Sequence, residues 1–456
     1  MSSGAAPSVY GLTAPAMMRP GSVRELGETL ARASAERLGV CIVGGGTKLA
    51  WGNPPERFDL LVCTRGLDSP CVVDADDLTM TVGAGVTVAE ARARARAEGR
   101  VLPLDAGRPE HATVGGVAAT GDQGARGAGY GRVRDLVLGL KAVLADGTEV
   151  SFGGRTMKNV AGYDMTKLFV GSFGVLGVIT EITFRLLPKN EAQGLLVVPL
   201  ASLEDGKALA AKILDSNLEP LVLEATSPRL LASVGAGFLP HEPDVTGGRL
   251  LLAGFAGHPA ALDRFVGDIS AWAGVDEAGL LEGDDAEAAM DALAGFTAAT
   301  QPVDAGAVPD GWSPDRAAGN GGGAVCRGDG HCLKARAVAP ISEVWELARK
   351  AESLAGSADL PLEYRIGAAR GILDLWVGFQ PDIEEQAGSL AAWAAGLRAA
   401  AAATGGSLSV TDGLALLPEE FDAWGDVGAS LRIMKAIKER FDAGRTLNPG
   451  RFVGGL

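Results

Sequence analysis

The apolar and polar positions of the first 190 residues alternate between helical and strand spacing. Residues 22–38 and 87–99 carry apolar side chains at helical spacing behind capping boxes, so each predicts an amphipathic helix. Short apolar runs predict buried strands at 40–43 and from Leu60. Alternating runs predict a hairpin over 71–85, a hairpin over 135–152 that turns at Asp146-Gly147, and a strand over 175–187. We therefore expect one α+β unit over residues 1–190.

After Pro188 the pattern changes to longer strands separated by helices. Strands are predicted at 195–200, 220–226, 249–257, 333–340 and 372–379, with helices such as 202–216 and 342–356 between them. This order indicates an antiparallel sheet backed by helices. Residues 303–331 are rich in Gly, Asp and Pro and predict a long exposed loop, and 430–442 predicts a last helix.

Composition and charge exclude several classes of protein. The formal net charge is −15, which argues against a nucleic-acid partner because such a partner demands a basic face. No apolar run reaches the length of a membrane span, and the N-terminus carries no secretory signal pattern. An odd number of cysteines predicts free thiols in a reducing compartment; they are Cys41, Cys63, Cys71, Cys326 and Cys332. We therefore expect a cytoplasmic protein.

The glycine turn at 44–48, GGGTK, follows a predicted strand, where successive backbone N–H groups can bind a phosphate. It lacks the spacing of a Walker loop. It also lacks room for the crossover helix of a dinucleotide-binding βαβ unit, because the short link to Leu60 contains Pro54 and Pro55. The turn is therefore either a phosphate loop of another kind or a simple tight turn.

A second glycine-rich run extends from Pro103 to Asp135 and predicts little secondary structure. A flexible loop would have this composition, but Val114, Val117 and Ala118 indicate burial. A buried irregular loop must find partners for its backbone polar groups, and a polar cofactor would supply them.

The third run, Met157 to Pro188, places Gly162, Gly171, Gly174 and Gly177 just before the strand over 175–187 or at its start. Glycine lets a backbone approach a flat ligand with no Cβ in the way. With the upstream CIVGGGTKLAWG and the terminal FDAGRTLNPGRF, this run resembles the FAD-binding oxidases and dehydrogenases of the vanillyl-alcohol oxidase and p-cresol methylhydroxylase superfamily. The segment FGGRTMKNVAGYD is most similar to the FAD-binding E subunit of glycolate oxidases. The resemblance is specific over 20–190 and 441–452 and weak elsewhere.

The resemblance implies an α+β fold of three parts. These are an FAD-binding domain of p-cresol methylhydroxylase type over 1–190, a ferredoxin-like antiparallel α+β cap domain over 191–425, and a C-terminal segment over 426–456 that returns to the FAD site. Carried over position by position, the cofactor-binding residues are expected to be Gly44, Gly45, Gly46, Thr47, Lys48, Leu104, Asp105, Thr113, Val114, Gly115, Gly116, Thr120, Gly121, Gly177, Val178, Ile179 and Asn448.

Within this family the flavin is attached either covalently or non-covalently. Thr47 stands in the loop where an attachment histidine would lie, so we expect non-covalent FAD, with His111 as the alternative attachment point. No metal is expected, because the paired histidines of metal-dependent relatives are missing from the cap. A metal site at Cys326, His331 and Cys332 is the alternative to a plain loop, although its spacing fits no zinc pattern.

The catalytic residues are the least defined part of the prediction. Arg365 and Arg370 are candidates for a bidentate clamp on a substrate carboxylate, or are simply surface cations. Tyr163 is a further candidate, and Asp164 beside it is at least as suited to capping the next helix. Phe173 replaces the glutamate common in single-subunit relatives. Other cations in the resembled segments are equally ambiguous: Arg132, Arg134 and Lys158.

The resemblance implies an FAD-dependent oxidoreductase that acts on the CH–OH group of a small 2-hydroxy acid such as glycolate. Electrons would leave through a complex with a second flavoprotein subunit and an iron–sulfur subunit, because this chain has no cysteine cluster for such a centre. Such a complex could lie at the inner membrane face through its partners. Two alternatives stay open: a stand-alone FAD oxidase of another alcohol or hydroxy acid, and a non-catalytic flavin relay or structural subunit.

Overall fold

A computed structural model describes residues 8–9, 12–154, 163–233, 248–274, 279–295, 331–379 and 384–456. The glycine-rich positions 157–162, including Lys158, and most of the predicted loop 303–331, including Cys326, lie outside the described residues.

The first 190 residues form short strands and helices in close alternation. The strands are β1 (Ser8–Val9), β2 (Leu12–Thr13), β3 (Ala16–Met18), β4 (Val40–Val43), β5 (Leu60–Cys63), β6 (Cys71–Asp74), β7 (Thr79–Gly83), β8 (Arg100–Val101), β9 (Val137–Val143), β10 (Glu149–Gly153), β11 (Val178–Arg185) and β12 (Leu187–Pro188). The helices are α1 (Val23–Ala35), α2 (Val88–Ala97), α3 (Val114–Thr120), α4 (Gly127–Tyr130), α5 (Val133–Leu136) and α6 (Thr166–Phe169).

A small parallel sheet in the order β3-β5-β4 carries the first glycine turn. β4 and β5 are parallel neighbours, with Val40 opposite Leu60. The residues that join them contain no helix, which confirms that this is not a dinucleotide-binding βαβ unit. α1 begins at the predicted cap, where the Ser22 side chain accepts a hydrogen bond from the Glu25 N–H. Its Leu26 and Leu30 pack against β4 and β5 in one core.

A second sheet of this part has the order β10-β9-β11-β7-β6, and all its pairs are antiparallel. Both predicted hairpins and the closing strand are confirmed, with Val143 opposite Glu149 beside the Asp146-Gly147 turn. The predicted cap of α2 is also confirmed, because Thr87 accepts from the Glu90 N–H.

The prediction of little secondary structure between Pro103 and Asp135 is wrong, since α3, α4 and α5 lie there. α3 forms despite two glycines because the Thr113 side chain caps it and Val114, Val117 and Ala118 are buried in the core. Packing in this case outweighs the low helix propensity of glycine.

The described residues between 192 and 441 form a large antiparallel sheet with helices. The strands are β13 (Ala192–Leu200), β14 (Val222–Thr226), β15 (Arg249–Gly257), β16 (Gly279–Glu282), β17 (His331–Val338), β18 (Leu362–Gly367), β19 (Ile372–Phe379) and β20 (Ser407–Asp412). The helices are α7 (Leu203–Leu214), α8 (Pro228–Ser233), α9 (Pro259–Ala273), α10 (Gly283–Ala294), α11 (Val344–Ser357), α12 (Glu384–Ala403) and α13 (Ser430–Phe441).

The order of this sheet is β16-β13-β15-β14-β18-β19-β17-β20. The predicted antiparallel sheet is confirmed, but the patterns missed three of its strands. β16 and β20 are short edge strands with polar positions. β18 was missed because it places the charged residue Arg365 at a buried position, which hides the strand pattern.

The two faces of the large sheet have different neighbours. Leu196 and Val198 of β13 belong to a core shared with α7, α9, α11 and α12. Leu195 and Val197 of the same strand belong to a core shared with α10 and with Ala125 from the first 190 residues. Side chains alternate along a strand, so the second face is the one directed at the glycine-rich segments.

The C-terminal residues lie against β4. The Thr446 carbonyl accepts from the Val40 N–H at 2.7 Å, and the Asn448 N–H donates to the Val40 carbonyl at 2.8 Å. The end of the chain is thereby placed beside the glycine turn that follows β4.

Candidate functional site

The glycine turn after β4 is packed directly on the segment that leads into α3. A Cβ on Gly44 would lie 2.2 Å from the Thr113 hydroxyl, and a Cβ on Gly45 would lie 1.7 Å from the His111 carbonyl. Neither distance is compatible with a side chain, so both positions require glycine at this contact.

The turn forms one wall of an open cleft whose empty volume is about 790 Å³. α3 and residues 173–179 form further walls of the cleft, and Asn448 and Arg451 of the C-terminal segment complete its lining. The predicted cofactor residues that line the cleft are Gly44, Gly45, Gly46, Thr47, Lys48, Thr113, Gly115, Gly116, Thr120, Gly177, Val178, Ile179 and Asn448. The three glycine-rich segments and the tail are thus brought to one place.

Four predicted cofactor residues lie away from the lining. Leu104 and Val114 are buried in the adjoining core. Asp105 is fully buried and pairs with Arg126 at 3.0 Å. Gly121 ends α3 with a φ of 66°, where it approaches Gly171. These positions support the walls of the cleft from behind.

α3 approaches the strand next to it closely through its glycines. A Cβ on Gly115 would lie 2.6 Å from that of Ala84, just after β7. The Thr113 side chain accepts from the Gly116 N–H at 3.2 Å, and the Thr120 hydroxyl donates to the Gly116 carbonyl at 2.9 Å. The helix therefore presents its backbone, with few side-chain atoms, to the cleft.

The tail residue Asn448 joins two other walls. Its side chain accepts from the Ile42 N–H at 3.0 Å and donates to the Phe173 carbonyl at 2.6 Å. Asn448 and Phe173 both have positive φ, 45° and 56°. Asparagine tolerates this conformation, whereas a bulky residue such as Phe173 adopts it at a cost in energy.

Sequence reasoning missed several residues of the lining. Arg451 lines the cleft, is 4% exposed, and donates to the carbonyls of Leu49 and Trp51. It directly follows the Asn-Pro-Gly turn, so the tail motif itself could have indicated it. Gly174 of the third glycine run also lines the cleft, although it was not among the expected cofactor residues. The remaining additions are Ile42, Val43, Leu49, Thr64, Val117, Ala119 and Phe173. Most are apolar and carry no signal that separates them from core residues.

Lys48 begins a chain of buried charges that runs from the cleft into the large sheet. Its Nζ lies 3.2 Å from the Asp122 carboxylate, and Arg336 of β17 donates to the same carboxylate at 2.8 Å. Arg336 also donates to Asp374 of β19 at 2.6 Å. The alternation of charge lets each buried ion find a partner.

The candidate residues Arg365 and Arg370 belong to the same series of buried charges. Arg365 is 1% exposed, donates to Asp374 and lies 3.6 Å from Glu224. Arg370 lies 3.3 Å from Glu224 and donates to the Gln123 carbonyl. Both guanidinium groups therefore have carboxylate partners and are not surface cations.

The register of the sheet explains this arrangement. Asp374 is directly opposite Arg336 on one side and Arg365 on the other. Burial tends to raise the pKa of the Asp374 carboxyl, but these two arginines outweigh it and hold the pKa below its ordinary value. Burial raises the pKa of Glu224 above its ordinary value in spite of Arg365 and Arg370.

The other candidates lie outside the lining. Tyr163 is 94% exposed. Asp164 accepts from the Thr166 hydroxyl and pairs with Lys167 at 3.2 Å, and the first of these lowers the pKa of Asp164 most. Both contacts are with side chains, and the N-cap of α6 is Met165 without a side-chain cap hydrogen bond, so the capping role of Asp164 stays a prediction. Arg132 pairs with Asp135 at 2.9 Å on the surface.

An aromatic cluster borders the cleft at Phe173. Its ring lies 5.5 Å from that of Phe452, 4.8 Å from that of Trp424 and 6.4 Å from that of Trp51. Trp51 in turn lies under Arg336, whose guanidinium carbon is 5.3 Å from the ring centroid. Phe173 is therefore fixed by aromatic packing at the edge of the cleft.

Within the described ranges, no group of three His, Cys, Asp or Glu side chains could hold a metal ion. None of the helices in those ranges has the length and apolar character needed to cross a bilayer.

Comparison with known families accounts for both parts of the chain. The model of the FAD binding domain matches residues 14–153, and that of the FAD linked oxidases, C-terminal domain, matches residues 189–452. The fold is similar to that of an alkyldihydroxyacetonephosphate synthase, with a TM-score of 0.66 at 16% identity over 96% of this chain and 77% of that one.

Named relatives are similar over stretches of different length. Glycolate oxidase subunit GlcD of Bacillus subtilis is 32% identical over 46% of this chain and 44% of the relative. Glycolate oxidase subunit GlcE of Escherichia coli is 37% identical over 36% of this chain and 47% of the relative. In these alignments the chain spans about half the length of the curated relatives it matches. A D-lactate dehydrogenase of Anaerostipes hadrus is 26% identical over 97% of this chain and 90% of the relative.

The cleft fits FAD, since the close contacts at Gly44, Gly45 and Gly115 keep side chains out of its walls. Both family models name FAD, and the second covers more than half of the chain. The chain belongs to the family of FAD-linked oxidases.

Proposed function

We propose that this chain is the FAD-carrying subunit of a 2-hydroxy-acid dehydrogenase complex of glycolate oxidase type, which passes electrons to an iron–sulfur partner. The observation that carries the proposal is the glycine-walled cleft, in which three separated segments and the tail meet. The similarity to two glycolate oxidase subunits supports the substrate class and the complex. Its FAD would be non-covalent, because His111 is not part of the lining and Thr47 is.

FAD, when bound, supplies an acceptor for the two electrons released as an alcohol becomes a carbonyl. The chain's own contribution is to hold that cofactor. Backbone groups of Gly44–Gly46 and of α3 would contact its diphosphate, with Lys48 and Arg451 adding positive charge. Residues 177–179, at the other wall, would contact the adenine end.

A relay role is the second candidate, and the buried charges favour it. The arginines that could clamp a substrate carboxylate, Arg365 and Arg370, are already bonded to Asp374 and Glu224. A substrate carboxylate would have to displace one of these side chains and so break a buried ion pair, which costs free energy. In the relay role, the flavin of this chain would transfer electrons between partner subunits and would not itself oxidise a substrate.

The visible spectrum of the purified full chain, before and after anaerobic glycolate, tests the proposal. A flavin band that glycolate bleaches supports hydroxy-acid oxidation by this chain. A band that persists with glycolate, D-lactate and D-2-hydroxyglutarate but bleaches with dithionite supports the relay role. No band after added FAD would contradict the cofactor site.

A variant that fills part of the cleft tests the position of the cofactor. A Cβ on Gly116 would meet only the Thr113 hydroxyl, at 3.1 Å, among the described residues. Gly116→Leu is therefore expected to fold and to fill part of the cleft. We expect this variant to lose the flavin band while its circular dichroism stays that of the unchanged chain.

A further inference from the structure

Lys438 on α13 is a buried lysine outside the cleft. It is 3% exposed, and its ammonium group has three donors that all need acceptors in the interior. It finds them in the Asp442 carboxylate at 2.6 Å, the Val175 carbonyl at 2.8 Å and the Leu447 carbonyl at 3.0 Å. A single side chain therefore ties α13 to two separate loops.

Asp442, directly after the last residue of α13, is the carboxylate partner of Lys438 and also binds the turn at 446–447. Its carboxylate is fully buried and accepts from the Thr446 N–H at 2.9 Å and from the Leu447 N–H at 2.8 Å, besides Lys438. The turn at 446–447 is thus held at its N–H groups by Asp442 and at one carbonyl by Lys438. Charge-assisted bonds of this kind are stronger than neutral ones.

Each loop that Lys438 contacts forms part of the cleft wall. Leu447 precedes Asn448, and Val175 follows Phe173 and Gly174; all three of these neighbours line the cleft. Asn448 donates to the Phe173 carbonyl at 2.6 Å, so the two loops also meet each other. Phe173 holds a positive φ, which a bulky residue keeps only where the surroundings impose it.

We propose that Lys438 and Asp442 are positioning residues for FAD, which hold Asn448 and the 173–175 loop in the geometry that receives the cofactor. They do not line the cleft themselves. The inference rests on the proposed position of FAD in this cleft. A wall that is formed before binding spares the cofactor the cost of ordering it, which raises affinity.

Coupling between FAD binding and the Lys438–Asp442 pair must act in both directions. If the Lys438–Asp442 pair favours the conformation that binds FAD, bound FAD must stabilise the pair and the turn it holds by the same factor. The amides of Thr446 and Leu447, which donate to Asp442, report that stabilisation directly.

The first experiment compares FAD affinity among full-length variants. Lys438→Met and Asp442→Asn are each expected to raise the FAD dissociation constant at least about tenfold, measured by fluorescence quenching on the apoprotein. The control is Glu352→Gln, which disrupts a partly buried cluster with Arg249 and Tyr364 away from the cleft. It is expected to stay within about twofold of the unchanged chain. A folded Lys438→Met that binds FAD as tightly as the unchanged chain would overturn the proposal.

A second measurement needs no variant and covers the case in which Lys438→Met fails to fold. Hydrogen exchange of the unchanged chain is followed with and without FAD. Slower exchange at Thr446 and Leu447 in the FAD-bound chain supports the proposal, and unchanged exchange there overturns it. Gly116→Leu distinguishes a wrong assignment of the FAD site from a wrong assignment of the positioning role. If that variant still binds FAD, the cleft assignment fails and this inference fails with it; if it loses FAD while Lys438→Met does not, the positioning role alone is wrong.

Discussion

At the scale of single residues, the glycines of the first turn are required by a contact that no sequence pattern displays. Their density suggested a ligand, yet the structure also gives a packing reason, because Gly44 and Gly45 touch the segment 111–113. The two reasons are compatible. Close packing of the turn on that segment brings the backbone of both to the same cleft.

Gly45→Ala is the residue-scale prediction. Its Cβ would collide with the His111 backbone carbonyl, so the turn must shift away from α3. We expect a loss of about 2 kcal/mol in the free energy of unfolding, measured by urea titration, and loss of FAD binding. Gly267→Ala on α9 is the control, because its Cβ meets nothing within 4 Å and alanine suits a helix better. An unchanged affinity for FAD in Gly45→Ala would contradict the role of the turn.

At the scale of elements, prediction succeeded where the local pattern and the packing agree. The capping boxes at Ser22 and Thr87 and the Asp146-Gly147 hairpin are local signals, and the structure has all three. The helix α3 could not be predicted because its stability comes from contacts with distant strands. β18 could not be predicted because the burial of Arg365 depends on carboxylates of two other strands, Asp374 and Glu224.

The caps of α2 and α3 give a prediction with a built-in control. Thr87 and Thr113 accept from the N–H three residues on with the same 3.2 Å distance, but only Thr113 lines the cleft. Thr87→Ala and Thr113→Ala should each cost about 1 kcal/mol of stability. We expect FAD affinity to fall only in Thr113→Ala, with Thr113→Ser close to the unchanged chain. Equal affinities in both alanine variants would mean that α3 does not contact the cofactor.

The cross-strand charges of β17, β18 and β19 give a second prediction at this scale. Asp374→Asn takes one carboxylate partner from each of the buried residues Arg336 and Arg365, which should cost about 3 kcal/mol by urea unfolding. Asp122 stays beside Arg336, and Glu224 stays beside Arg365. Replacing Arg365 and Asp374 together with Met and Leu removes both charges and should cost clearly less. If the double variant is as unstable as the sum of its single substitutions, the pair does not act as a unit.

At the scale of the whole molecule, charged clusters join the large sheet and α10 to the first 190 residues. Arg336 reaches Asp122 from β17, and Asp291 of α10 accepts from Arg126 at 2.6 Å and from Arg92 at 2.9 Å. No pattern along the sequence could have paired these residues, because they lie far apart in the chain and become neighbours only on folding.

The Asp291 cluster predicts how this contact responds to acid. Burial tends to raise the pKa of Asp291, but Arg126 and Arg92 outweigh it and hold the pKa below its ordinary value of 3.8. A depressed pKa stabilises the folded chain above the ordinary value, and this stabilisation is lost as pH falls through the lowered one. Asp291→Asn should therefore be less stable than the unchanged chain at about pH 7, with a difference that shrinks towards about pH 3. The exposed pair on α9 provides the control, since Asp268→Asn should change little at either pH. A difference for Asp291→Asn that stays constant with pH would show that its carboxylate charge does not stabilise the contact.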